Sequence, residues 1–262
     1  MIASPNISEE ALLYTYLASI QINSENNGTQ TIDISLPTTN NWRSFDNFRR
    51  MELDNDNLIY RFRNFDRIRE YTNENECRHY IYEILDWVFN ENIFEFGDEQ
   101  LRRYKFIYQQ NANDCDLLLS DRNNPRSRFI DIEIKKPNVI NKSIMGNKEL
   151  HDFVNARRNE TPTHKVVNCV KQIYKYMRDH NLKYGILTTL NESWFFELTR
   201  TGERECLSIS DTIDKTELLR AIYYLIKHEI LQDSSDNRKP SNLINIFLSY
   251  FFLFNFNFFI KN

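Results

Sequence analysis

Hydrophobic and polar positions alternate most cleanly in Phe129-Ile-Asp-Ile-Glu-Ile-Lys-Lys-Pro137, a pattern that predicts a β-strand. Ile130, Ile132 and Ile134 fall on one side of it, and Asp131, Glu133 and Lys135 on the other. Just upstream, Asn113-Asp-Cys-Asp-Leu-Leu-Leu-Ser120 is an acidic entry into a second apolar strand. The turn-rich Asp121-Arg-Asn-Asn-Pro-Arg-Ser127 joins the two as a hairpin, which sets Asp116 level with the Glu133/Lys135 face. Thr163 to His180 predicts a helix with Val166, Val170, Ile173 and Met177 as its core stripe and Gln172 and Tyr176 on one flank. Tyr184 to Leu190 and Ser193 to Leu198 predict two more strands around Asn191-Glu192. Asn75 to Asn90 predicts an amphipathic helix carrying Glu76 and Glu83 on one face, and Asp214 to Gln232 another helix, packed across the sheet.

The charged face of the Phe129–Pro137 strand needs a chemical explanation. A carboxylate and an ammonium on a strand with an apolar reverse side are costly to bury unless they pair or bind something. Taken alone, Glu133 and Lys135 read as a buried ion pair bracing the hairpin. Metal-dependent phosphodiesterases use the same triplet differently: the carboxylate holds a divalent ion and the lysine sits beside the attacking water. Asp116 is preferred to Asp114 as a partner because the run Leu117-Leu118-Leu119 follows it directly. Asp131 reads as a solvent-facing strand end.

Helix with Glu, strand with Asp116, strand with Glu133-x-Lys135, helix with Gln172-x-x-x-Tyr176, strand: this order resembles the PD-(D/E)XK nuclease superfamily over roughly residues 72 to 200. Asn-Glu-x-x-Cys-Arg-x-Tyr-Ile, ending at Ile81, and Tyr-Gly-Ile-Leu-Thr-Thr-Leu-Asn-Glu-Ser-Trp-Phe-Phe, from Tyr184, are similar to the nuclease-like domains of Crinkler-type effectors. Cys115 stands where the nominal motif has Pro, and the Crinkler translocation segment is absent at the N-terminus. The resemblance implies an α/β fold with a restriction-endonuclease-like core, a mixed sheet of about four or five strands flanked by helices. It implies a metal-dependent nuclease, acting on DNA ahead of RNA. Asp116, Glu133 and the backbone carbonyl of Ile134 would hold Mg²⁺ or Mn²⁺, ions that prefer oxygen ligands. Lys135 would orient the attacking water, Gln172 would bond Lys135 or a phosphate, and Glu76, with Glu83 as its alternative, would complete the catalytic set. The alternative reading is an inactive nuclease-like module that binds DNA or protein.

Charge changes the picture. The chain of 262 residues carries a net −4, but residues 101 to 178 hold 16 Lys/Arg against 8 Asp/Glu, a net of +8 around the candidate site. Such a field suits a polyanion. With only 5 Gly, phosphate-cradling glycine loops are excluded. Cys77, Cys115, Cys169 and Cys206 show no paired spacing, so reduced thiols in an intracellular or nuclear setting are expected and an iron–sulfur cluster is not.

Three segments follow: residues 1–59 as an extension, 60–232 as the nuclease-like domain, and 233–262 as a linker and tail. A capped helix is expected over Ser8 to Ile20, with acids ahead of its apolar stretch and hence no signal peptide. A strand is expected at Gln30 to Leu36, and a strand or arm over Leu58 to Arg69. The Phe/Asn-rich tail Leu243 to Ile260 is short and Asn-bearing for a membrane span, and no membrane partner is expected.

Overall fold

A computed structural model describes residues 6–7, 21–22, 32–50, 60–61, 70–71, 73–97, 99–109, 114–160 and 163–231. The expected helix over Ser8 to Ile20 and the tail Leu243 to Ile260 lie outside these residues, as does most of Leu58 to Arg69. The chain divides into two compact units, residues 1–223 and 224–262.

The first unit is α/β, built on one mixed sheet of eight strands rather than the four or five expected. In chain order these are β1 (Thr38–Asn41), β2 (Tyr104–Tyr108), β3 (Leu117–Asp121), β4 (Arg128–Ile134), β5 (Tyr184–Thr188), β6 (Glu192–Thr201), β7 (Arg204–Ile209) and β8 (Ile213–Asp214). Their spatial order is β1-β7-β6-β5-β4-β3-β2, with β8 on β6. Strands β2, β3 and β4 form an antiparallel meander, and β5 runs parallel to β4. A parallel neighbour requires a crossover, supplied here by α2 (Leu150–Arg157) and α3 (Lys165–Asp179).

Local chemistry explains the elements that matter most. The β3–β4 turn closes through the Asp121 N–H on the Ser127 carbonyl (3.0 Å), while Asp121 Oδ1 accepts from the Asn123 N–H (2.8 Å). Helix α1 (Glu74–Leu85) starts on the N-cap Asn73, whose side chain accepts the Glu76 N–H. It runs into a π-helical stretch, Asp86–Ile93. From there the Asn90 side chain donates to the Phe106 carbonyl and accepts the Phe106 N–H, capping the edge strand β2 as a neighbouring strand would. In α3 the expected stripe of Val166, Val170, Ile173 and Met177 is fully buried. Gly185 of β5 lets that helix approach: a Cβ there would lie 2.8 Å from Met177 Sδ.

The sheet is covered on both faces. Trp194, Phe196, Leu207 and Ile209 join the α3 stripe in one core. On the reverse side Phe45, in the 3-10 helix Arg43–Arg50, stacks on Phe195, and Trp42 stacks on Tyr184.

Several expectations are corrected. Residues 38–50 are no separate extension, since β1 pairs in parallel with β7 as a sheet edge. Residues 32–36 are irregular where a strand was expected. The Asp214 to Gln232 helix begins only at Leu218, with α4 (Leu218–Tyr224) passing into a π-helical turn, Leu225–Ile230. Lys135 lies one residue past the end of β4, although its N–H still donates to the Thr188 carbonyl (2.9 Å) and prolongs the ladder to β5.

Candidate functional site

The β3–β4 register sets Leu117 against Ile132, which carries Asp116 alongside Glu133. Asp116 is anchored twice: its N–H donates to the Ile132 carbonyl (3.1 Å), and its Oδ2 accepts the Ile134 N–H (2.7 Å). Lys135 Nζ lies 2.5 Å from Glu133 Oε1. All three are buried, at 4% exposure for Asp116, 0% for Glu133 and 6% for Lys135. These are the sequence-predicted residues that the fold brings together.

Helix α1 contributes different residues from those expected. Glu74, not Glu76, reaches the site: its Oε1 lies 3.8 Å from Lys135 Nζ. Arg78, one helical turn on, joins Glu74 Oε1 (2.5 Å) to Asp116 Oδ1 (2.8 Å from Nε). Glu76 is exposed and Glu83 half-buried. The reason is angular. At about 3.6 residues per turn, Glu76 points some 200° away from Glu74, whereas Arg78 at i+4 shares its face. Glu74 and Arg78 are the Glu and Arg of the Asn-Glu-x-x-Cys-Arg motif, but the motif alone does not say which face of the helix meets the sheet.

Gln172 and Tyr176 pair with each other (Nε2 to Oη, 3.0 Å), not Gln172 with Lys135. Tyr176 packs on Cys115 and Leu118. Burial, and then the charge of Glu133, pushes its hydroxyl up to about 12, so it shares the electrostatic environment of the carboxylates.

Three carboxylates and two cations leave the cluster with one excess negative charge. Burial lifts Asp116 well above the usual carboxylate range, and Glu133 beside it acts in the same direction against Arg78 and Lys135. Burial raises Glu133 as well, against Lys135. For Lys135, burial opposes the charge, but Glu133, Glu74 and Asp116 outweigh it and hold the ammonium protonated. Glu133 Oε2 is buried with no hydrogen-bond partner among the described residues. Two crowded carboxylates and an orphaned oxygen fit a hard divalent cation, which would relieve both.

A second polar group was missed. Asp131, expected at a solvent-facing strand end, is fully buried because β4 is a central strand covered by α3. His180 Nδ1 lies 2.5 Å from its Oδ2. His180 caps α3, and Asn181 with φ 54° turns the chain away in the left-handed region. Asp114, set aside in favour of Asp116, receives two hydrogen bonds from Arg128, at 2.8 and 2.7 Å. Burial opposes its charge, yet Arg128 and the Cys115 N–H lower its pKa to about 2. Spacing alone could not reveal this group, since His180 lies 49 residues from Asp131.

Compared with known proteins, the chain matches no protein-family model, no curated protein and no solved structure.

Proposed function

We propose that this chain is a Mg²⁺- or Mn²⁺-dependent nuclease that hydrolyses phosphodiester bonds, DNA ahead of RNA, on a restriction-endonuclease-like core of the PD-(D/E)XK type. The observation that carries the reading is the burial of Asp116, Glu133 and Lys135 side by side at the ends of adjoining strands, with Glu74 reaching Lys135 from α1. The element order supports it: helix, three-stranded meander, helix, then a strand parallel to the third. So does the excess of basic residues between positions 101 and 178.

Asp116, Glu133 and the Ile134 carbonyl would hold the ion. When bound, it would supply Lewis acidity that activates water and offsets charge developing on the phosphate. Lys135 Nζ donates to the attacking water and to a non-bridging phosphate oxygen, while Glu133 and Glu74 keep it charged and aimed. The Gln172 amide, which donates to the Tyr176 hydroxyl, would supply a further contact to a phosphate oxygen. The test is incubation of the full chain with supercoiled plasmid, single-stranded DNA and RNA, in Mg²⁺, Mn²⁺ or EDTA. Nicking that needs metal and disappears in Glu133→Gln is expected. Absence of metal-dependent cleavage on every substrate would sink the proposal.

One observation favours a second reading, a non-catalytic DNA- or protein-binding module. The Arg78 guanidinium already neutralises Asp116 at 2.8 Å, as it would in a site that no longer takes an ion. DNA binding that EDTA leaves unchanged, with no cleavage and no Mn²⁺ affinity even in Arg78→Met, would select this reading.

A further inference from the structure

We infer that Asp114, Asp131 and His180 form a second metal site, suited to a borderline first-row ion such as Zn²⁺ and independent of the Asp116/Glu133 centre and of the hydrolase reading. One ligand atom from each of these residues lies within 4.8 Å of the others. They come from three elements: the entry to β3, the middle of β4 and the cap of α3. The donor set of two carboxylates and an imidazole differs from the all-oxygen set of the first centre, and mixed sets of this kind select Zn²⁺ and its neighbours over Mg²⁺.

A separate observation points to a cation here. Asp131 is fully buried, and its Oδ1 has no hydrogen-bond partner among the described residues. What faces it is Arg128 Nη1, at 3.6 Å. That same nitrogen lies 2.8 Å from Asp114 Oδ1, and 3.1 and 3.3 Å from the two ring nitrogens of His180. A single guanidinium nitrogen thus occupies the point on which all three residues converge. It satisfies Asp114 but leaves Asp131 Oδ1 outside hydrogen-bonding range. An ion at about 2.0–2.2 Å from oxygen and nitrogen donors would draw all three in.

The ring already presents Nδ1 to Asp131, 2.5 Å from Oδ2, so Nδ1 is the coordinating nitrogen and the ion replaces the proton between them. Tyr176 stacks against the imidazole with ring planes 11° apart and limits its rotation. The Arg128 side chain is 20% exposed, so it has a route out to solvent. A divalent ion balances the two carboxylates as Arg128 and an imidazolium would, so the exchange leaves the pocket's total charge unchanged.

The test is zinc titration calorimetry on the full chain in excess Mg²⁺, with folding of each variant followed by circular dichroism without zinc. Wild type is expected to bind one Zn²⁺ at this site. His180→Ala should weaken binding at least about tenfold through loss of one of three protein ligands. Arg128→Met should tighten it by removing the resident cation, and weaker binding there would count against the exchange. Glu133→Gln should leave it unchanged, so failure of the hydrolase reading does not touch this outcome. Equal affinity in wild type and His180→Ala, or a loss confined to Glu133→Gln, overturns the inference. Should His180→Ala not fold, long-range ¹H–¹⁵N spectra of wild type decide: a zinc-induced shift of the His180 ring nitrogens supports the site, and none overturns it.

Discussion

Lys135 and Glu133 neutralise each other in a place where neither could be charged alone. Glu133 is 0% exposed, so taking away its ammonium leaves a carboxylate with no solvent to turn to. Lys135→Ala is therefore expected to cost about 3–5 kcal/mol of stability in addition to abolishing cleavage, because breaking a buried pair is worse than replacing both members. Urea unfolding and a nicking assay on the same preparation check both parts. Loss of activity without destabilisation would show that the pair is wetter than its burial implies. Glu74 and Glu76 offer a cleaner contrast, because they share a helix and differ in direction. Glu74→Gln is expected to lower cleavage at least about tenfold through its hold on Lys135, whereas Glu76→Gln should leave the rate within twofold. The reverse ranking in a nicking-rate comparison would restore Glu76 to the site.

Among elements, α3 fits closely on β5. Gly185 lies beneath the helix, and a methyl group there would come within 2.8 Å of Met177 Sδ and 3.1 Å of Ile173 Cγ1. Gly185→Ala is expected to destabilise the chain by about 1–3 kcal/mol, the usual cost of overpacking a closed core. A thermal melt is the check, and an unchanged midpoint would mean the helix can lift at no cost. The same packing holds His180 and the Gln172–Tyr176 pair against the sheet, so Gly185→Ala should also weaken cleavage at temperatures where the protein is still folded. Helix α3 was legible because its stripe of Val166, Val170, Ile173 and Met177 recurs at helical spacing. Strand β1 was not: Thr38-Thr-Asn-Asn41 has the composition of a turn, and it is extended only because β7 offers it a parallel partner.

At the scale of the whole molecule, charge is segregated rather than balanced, with a net +8 between residues 101 and 178 inside a chain of net −4. If that basic excess meets nucleic acid, log affinity for duplex DNA should fall linearly with log salt, with a slope near −0.9 for each phosphate contact neutralised. A slope of about −3 or steeper is expected by fluorescence anisotropy, and a flat dependence would remove the polyanion from the reading.

The hairpin of β3 and β4, the α3 stripe and the pairing of Asp116 with Glu133 and Lys135 could all be read from residue order, because they rest on local periodicity and on a turn a few residues long. Three things were decided only by tertiary structure. The meander grew into an eight-stranded sheet because edges buried by distant segments leave no local trace. Glu74 replaced Glu76 because tertiary packing sets which face of α1 meets the sheet, and the two acids point about 200° apart. Asp131 and His180, 49 residues apart, became neighbours only when α3 was laid across the sheet, since the crossover between β4 and β5 sets where its last turn ends.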